Sequence, residues 1–137
     1  MSDGDTDGTL EFSITCLNSK FIVNGQMTGV ASGDNVFELT LTGTYDPATG
    51  ELAGPDVESQ TRQVFRNMKA ILEAGGSDLS RVLRCGVFLV DLRDFEKMNR
   101  VYAEVFGEHR PARTTVQVAS LPDPGLRVEI DAIAYRD

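Results

Sequence analysis

The sequence predicts an α+β fold: one mixed sheet with two helices on one face. Three observations carry it. Runs of alternating or branched residues read as strands near both ends of the chain. Two stretches with apolar residues at helical spacing lie between them. A branched and aromatic run, "RVLRCGVFLV", separates the two helices, so the order is strands, helix, strand, helix, strands.

The elements follow in order. Residues 1–8, "MSDGDTDG", read as a disordered acidic tail, and 9–137 as a single domain, which the length of 137 residues suits. "LEFSITCL" (Leu10–Leu17) and "KFIVNG" (Lys20–Gly25) read as strands joined by a turn at Asn18-Ser19. "NVFELTLTG" (Asn35–Gly43) alternates, which predicts a half-buried strand with Phe37, Leu39 and Leu41 facing in. "DPATGEL" is a turn opened by Asp46-Pro47 and closed by Gly50.

The clearest helix is "GPDVESQTRQVFRNMKAILEAGG". Val57, Val64, Phe65, Met68, Ile71 and Leu72 share one face. Pro55-Asp56 suits its start and Gly75-Gly76 its stop. Arg81–Val90 then reads as a central strand. Asp91 is placed to cap a second helix, Leu92 to Phe106, with Phe95, Met98, Tyr102, Val105 and Phe106 facing in and Gly107 ending it. "TTVQVA" and "RVEIDAIAY" close the chain as strands. Two helices cover one face of such a sheet, and an apolar second face would be buried against copies of the chain, so a homo-oligomer is expected.

Composition narrows the functions. Hydrophobic residues make up 41% and charged residues 25%, which places the chain among soluble globular proteins. The formal net charge is −8, which disfavours nucleic acid and anionic membrane as partners. A small anionic ligand stays open, because one local arginine can hold a carboxylate in an acidic protein. Cys16 and Cys85 are far apart and form no CxxC pattern. No apolar run is long enough to span a membrane, and the start lacks the form of a signal peptide, so a cytoplasmic location is expected. No GxGxxG or GxxxxGKS stretch occurs. With His109 the single imidazole, no metal site is expected.

Four residues are candidates for chemistry on their own terms. Arg113 follows "RPA", where Pro111 keeps the preceding residue out of helix, so its planar fork sits where a loop enters a strand. It could grip a carboxylate or pair with Glu129 or Asp131 on the surface. Alternation puts Arg127, Glu129 and Asp131 on one strand face, where a buried Glu129 could position water or exchange a proton. The bland alternative is a solvated polar stripe; by spacing and charge alone, ion pairs and stripes are the commoner outcome. His109 lacks any suggestion of a nucleophile beside it. Tyr45, in "GTYDP", could offer a phenol to a pocket or simply pack on the sheet edge.

"DPATGEL", "QTRQVFRNMKAILEAGGSDLSRVLRCGVFLVDLRDFEKMNRVYAEVFGEHRPARTTVQVASLP" and "VEIDAIA" together closely resemble the RidA/YjgF family of reactive-intermediate deaminases. The resemblance runs from about Asp46 to Ala134, and "RPARTTVQVASLP" and "VEIDAIA" are its most specific pieces. It implies a chorismate-mutase-like fold and a homotrimer whose sheets pack as a central barrel, with ligand clefts between subunits. It implies cofactor-independent hydrolysis of 2-enamino and 2-imino acids to 2-oxo acids and ammonia. Arg113 matches the arginine that grips the substrate carboxylate, and Glu129 the carboxylate linked to positioning water. Thr115 matches a pocket-lining position. Thr42, Gly43, Tyr45 and Phe88 complete the substrate-binding set, while Asp131 and Arg110 become a structural partner and a flanking surface charge.

The first third departs from the family. The usual Gly-Pro-Tyr loop is absent, and no tyrosine precedes Tyr45. Thr42 and Gly43 stand where Ser-Gly is usual, Thr44 replaces a glutamine, and Cys85-Gly86 replaces a threonine pair. Three functions follow: a general enamine/imine deaminase, a pathway enzyme acting on a larger imine or enamine, or a non-catalytic trimer that binds small carboxylates or a partner protein. Ribonuclease activity, associated with some relatives, sits poorly with a net charge of −8.

Overall fold

The computed structural model of the chain describes the backbone of residues 9–15, 22–29 and 36–39, and residues 44–136 with their side chains. Strands β1 (Thr9–Thr15), β2 (Ile22–Gly29) and β3 (Val36–Leu39) precede a two-stranded hairpin, β4 (Tyr45–Asp46) and β5 (Glu51–Leu52). Helix α1 (Val57–Ala74), strand β6 (Val82–Leu89), helix α2 (Phe95–Phe106), and strands β7 (Ala112–Gln117) and β8 (Val128–Tyr135) follow. The six longer strands form one sheet in the order β1-β2-β3-β8-β6-β7. Only β6 and β7 pair in parallel, and α2 supplies the crossover that a parallel pair requires. The expected α+β class with a mixed sheet and two helices is therefore the observed one.

The expected tail at 1–8, the Asn18-Ser19 turn, the inward side chains of Phe37, Leu39 and Leu41, and Thr42 with Gly43 all lie outside the described residues or side chains. β2 reaches Gly29 rather than stopping at Gly25, because it is held on both sides, by Thr9↔Thr28 and Gly29↔Phe37.

Helix α1 begins where Asp56 accepts from the Ser59 amide at 2.9 Å. Its end is a tight reversal in which the Ser77 amide donates to Leu72 O at 2.8 Å and Gly76 takes φ 84°, a conformation costly for any residue with a Cβ. The second helix starts later than expected. Asp91 caps a 3-10 turn, Leu92–Asp94, through the Arg93 amide, and regular helix begins at Phe95.

One core lies between the helices and one sheet face. Met68, Ile71 and Leu72 of α1 and Met98 and Val101 of α2 meet Val82, Cys85, Val87 and Leu89 of β6 and Val128, Ile130, Ala132 and Ala134 of β8. Burying each large aliphatic side chain contributes about 1.5–3 kcal/mol. Val101, not among the expected inward residues, is fully buried, whereas Phe95 and Val105 are only partly so. The alternate residues of β6 and β8, including Phe88, Glu129, Asp131 and Ile133, face away from the helices and are half-buried.

One buried amide ties the last strand to the first helix. Gln60 donates through Nε2 to Gly54 O and Gly125 O, each at 2.9 Å, and accepts from the Arg127 amide at 2.8 Å. Its side chain is thus satisfied at both ends, which is what makes a fully buried glutamine tolerable here.

Candidate active site

Arg113 is the second residue of β7, a strand at the sheet edge. Its register partner is Cys85, whose side chain is in the core, so Arg113 leans to the helix side. There α2 receives it. Nη1 donates to Asn99 Oδ1 at 2.6 Å, and the guanidinium carbon stands 4.6 Å from the Tyr102 ring centroid and 5.3 Å from that of Phe95. Phe95, Asn99 and Tyr102 are spaced i, i+4, i+7, so one helical stripe presents two rings and an amide to one cation. Among the described residues no acidic group pairs with Arg113. Its fork is fixed in place with donors left over, the condition for receiving a carboxylate.

Sequence reasoning placed Tyr102 and Phe95 in the core and passed over Asn99. The available signal was a polar residue set inside the apolar stripe of α2.

Thr115 follows on the same side of β7, and its Oγ1 is buried without a hydrogen-bond partner. Tyr102 Oη is also buried, and the group it interacts with there is the Cys85 thiol. Burial pushes that thiol up to about 11, so it stays neutral and unreactive.

Glu129 sits on the opposite sheet face. It is the register partner of Phe88, and the two expected site residues lie side by side. Burial and then the neighbouring Asp131 carboxylate raise the Glu129 pKa above its ordinary 4.5. No hydrogen bond or ion pair engages its carboxylate among the described residues. Asp131 has a structural tie: Oδ1 accepts from the Gly86 amide at 2.8 Å and lies 3.9 Å from Arg84 Nη1. Arg127 is turned to Asp94, with Nη2 at 2.7 Å and Nε at 2.9 Å from Oδ2, and does not neutralise Glu129.

The candidate residues therefore stand in two groups, back to back across one sheet. Arg113 and Thr115 are on the helix side, and Glu129 and Phe88 on the open side. Tyr45 joins neither: it is 3% exposed, and its phenol donates to Asp123 Oδ2 at 2.6 Å. His109 Nε2 is 2.7 Å from Val82 O, which fixes the loop before β7. Among the described residues no group of three or more His, Cys, Asp or Glu is placed to hold a metal, and no helix is long and apolar enough to cross a membrane.

The protein is thus of the α+β class, two helices on a mixed sheet, with a stacked arginine at the sheet edge that has no acidic partner among the described residues. The endoribonuclease L-PSP family model matches residues 28–136. The chain belongs to that family, which is the RidA/YjgF family. A RutC family protein of Pyrococcus horikoshii is 54% identical over 92 residues, covering 67% of this chain and 72% of the relative. The human 2-iminobutanoate/2-iminopropanoate deaminase is 40% identical over 91 residues, 66% of each chain. Among solved structures, the Escherichia coli YjgF gene product superposes with a TM-score of 0.74 at 35% identity, covering 90% of this chain and 94% of that one. Escherichia coli TdcF, solved with bound serine, gives 0.73 at 35% identity over the same shares, 90% and 94%. The family thus includes enamine and imine deaminases, the hydrolytic class to which this chain is allied.

Proposed function

We propose that the protein hydrolyses 2-enamino and 2-imino acids to 2-oxo acids and ammonia without a cofactor. The observation that carries this reading is the state of Arg113: stacked on Tyr102, tethered by Asn99, and free of any acidic partner among the described residues. Such a fork is set to take a substrate carboxylate by two parallel hydrogen bonds. The relative named as a 2-iminobutanoate/2-iminopropanoate deaminase, and the one crystallised with serine, both point to 2-amino-acid-like ligands. The net charge of −8 weighs against RNA as the substrate, whatever the family's name.

The chemistry asks little of the protein. Protonation of the enamine at C3 gives the imine, whose C2 is electrophilic. Water adds at C2 while one of its protons passes to the imine nitrogen; the carbinolamine hydroxyl then gives up the other proton to that nitrogen as C2=O forms, the C2–N bond breaks and ammonia leaves. Holding the acid and the water in line supplies much of the acceleration. Glu129, its pKa raised by burial and by the neighbouring Asp131, suits the proton handling.

Arg113 and Glu129 lie on opposite faces within one chain, so this reading needs more than one copy. The open face bearing Glu129 and Phe88 would meet the β7 edge of a neighbour, with Thr115 beside the carboxylate. A homotrimer with clefts between subunits, as the family resemblance implies, satisfies that need. The test is to generate 2-aminoacrylate in situ with a dehydratase and follow its decay. Acceleration over buffer that Arg113→Ala abolishes is expected; no acceleration by the wild type sinks the reading. A second reading follows from the sequence of the first third, which lacks the family's usual Gly-Pro-Tyr loop: the protein acts on a larger imine. It is favoured if 2-aminoacrylate turns over poorly while bulkier imines turn over fast.

A further inference from the structure

Arg113 also lines a cleft of about 350 Å³ between the second half of α2 and the loop entering β7. The floor is aromatic, Tyr102 and Phe106, and Arg110 and His109 stand on the rim. Arg110 is exposed and, among the described residues, has neither a hydrogen bond nor an acidic partner. Most other described arginines are paired: Arg62 with Glu104, Arg93 with Asp91, Arg127 with Asp94. In a protein of net charge −8, one cleft thus carries two cations without acids.

Arg110 is presented by an anchored loop. The Gly107 amide donates to Ala103 O at 2.9 Å, the His109 amide donates to Phe106 O at 3.0 Å, and His109 Nε2 is held at Val82 O. Pro111 then fixes the path into β7. Two residues, Pro111 and Ala112, separate Arg110 from Arg113, so their Cα atoms are at most ~11 Å apart even if the chain is fully extended. Both side chains can therefore reach one short ligand lying across the rings.

We propose that this cleft selects substrates with a second anionic group: 2-imino or 2-enamino dicarboxylic acids, the 2-carboxylate on Arg113 and the distal carboxylate on Arg110. The proposal rests on the deaminase reading for the role of Arg113 and adds the identity of the side chain. Tyr102 and Phe106 cover the methylenes between the two charges.

The stable 2-oxo products serve as probes. Titration calorimetry compares pyruvate with 2-oxoglutarate on the full-length protein and on Arg110→Ala and Arg110→Glu. One added charge-assisted contact at a partly exposed rim is worth roughly tenfold in affinity. Expected is 2-oxoglutarate binding about tenfold tighter than pyruvate, the advantage lost in Arg110→Ala and reversed in Arg110→Glu, with pyruvate affinity unchanged in Arg110→Ala. Equal affinity of wild type for both acids, or an advantage that survives Arg110→Ala, overturns the second subsite and leaves the deaminase reading standing. Binding of neither acid overturns both.

Discussion

Arg113 and Asn99 join the edge strand to the second helix through one bond, from guanidinium Nη1 to amide Oδ1 at 2.6 Å. The amide oxygen neutralises nothing, so the arginine is aimed and still fully charged toward a ligand. A carboxylate in the same place would aim it equally well and occupy it.

That difference is testable at one position. Asn99→Ala should lower kcat/KM for 2-aminoacrylate by about tenfold or more, the worth of a hydrogen bond to a charged group. Asn99→Asp should fold at least as stably as wild type yet lose 2-oxo-acid binding, because the new carboxylate pairs with Arg113. If Asn99→Asp binds pyruvate as wild type does, Asn99 does not set the arginine.

Glu129 gives a pH prediction. Its pKa is raised on folding, so the native state holds its proton more tightly than the unfolded chain, and stability falls as pH rises from about 4.5 through the folded pKa. Glu129→Gln should be more stable than wild type at neutral pH, by denaturant titration, and indistinguishable well below pH 4.5. Asp131→Asn keeps the oxygen that accepts from Gly86 and removes the charge that helps raise Glu129. The acid limb of the kcat/KM profile should then move to lower pH; a limb that stays put separates Glu129 from the titration.

The Gly86–Asp131 contact predicts an epistatic pair. A Cβ on Gly86 would stand 2.5 Å from Asp131 Oδ1, so Gly86→Ala must push the carboxylate off the amide it caps. The expected loss is about 1–3 kcal/mol. Adding Asp131→Ala should recover part of it, giving a coupling between the two sites in a double-mutant cycle. Strict additivity would show that the steric argument is mistaken.

Cys85 should be silent. It is fully buried and held up at about 11, so a thiol reagent at pH 8 should leave it unmodified in the native protein and label it after unfolding, as read by peptide mass mapping. Rapid native labelling would mean that α2 opens from β6 far more readily than its packing suggests.

Much of the fold was legible because local rules act on short stretches. Asp56 and the Gly75-Gly76 pair bracket α1 in sequence and in space. The alternation of Val128, Ile130 and Ala132 against Glu129 and Asp131 is the observed burial pattern of β8. The relation between Arg113 and Glu129 was not legible. Alternation fixes the parity of residues within a strand, but the phase between two strands depends on register, which β6 sets by pairing with both. Asn99 was hidden for a related reason: a polar residue in an apolar stripe shows its purpose only when the cation opposite is known. Asp91, read as a helix cap, caps a 3-10 turn, because both structures ask the same of an aspartate.

The buried Gln60 amide has a consequence outside its own surroundings. By gripping Gly54, Gly125 and the Arg127 amide, it sets where β8 begins, and every residue on β8 counts from that start. Glu129 is two residues along. The position of the Glu129 carboxylate is thus inherited from a helix on the far side of the sheet, and changes there can displace it while the residues around it remain unaltered.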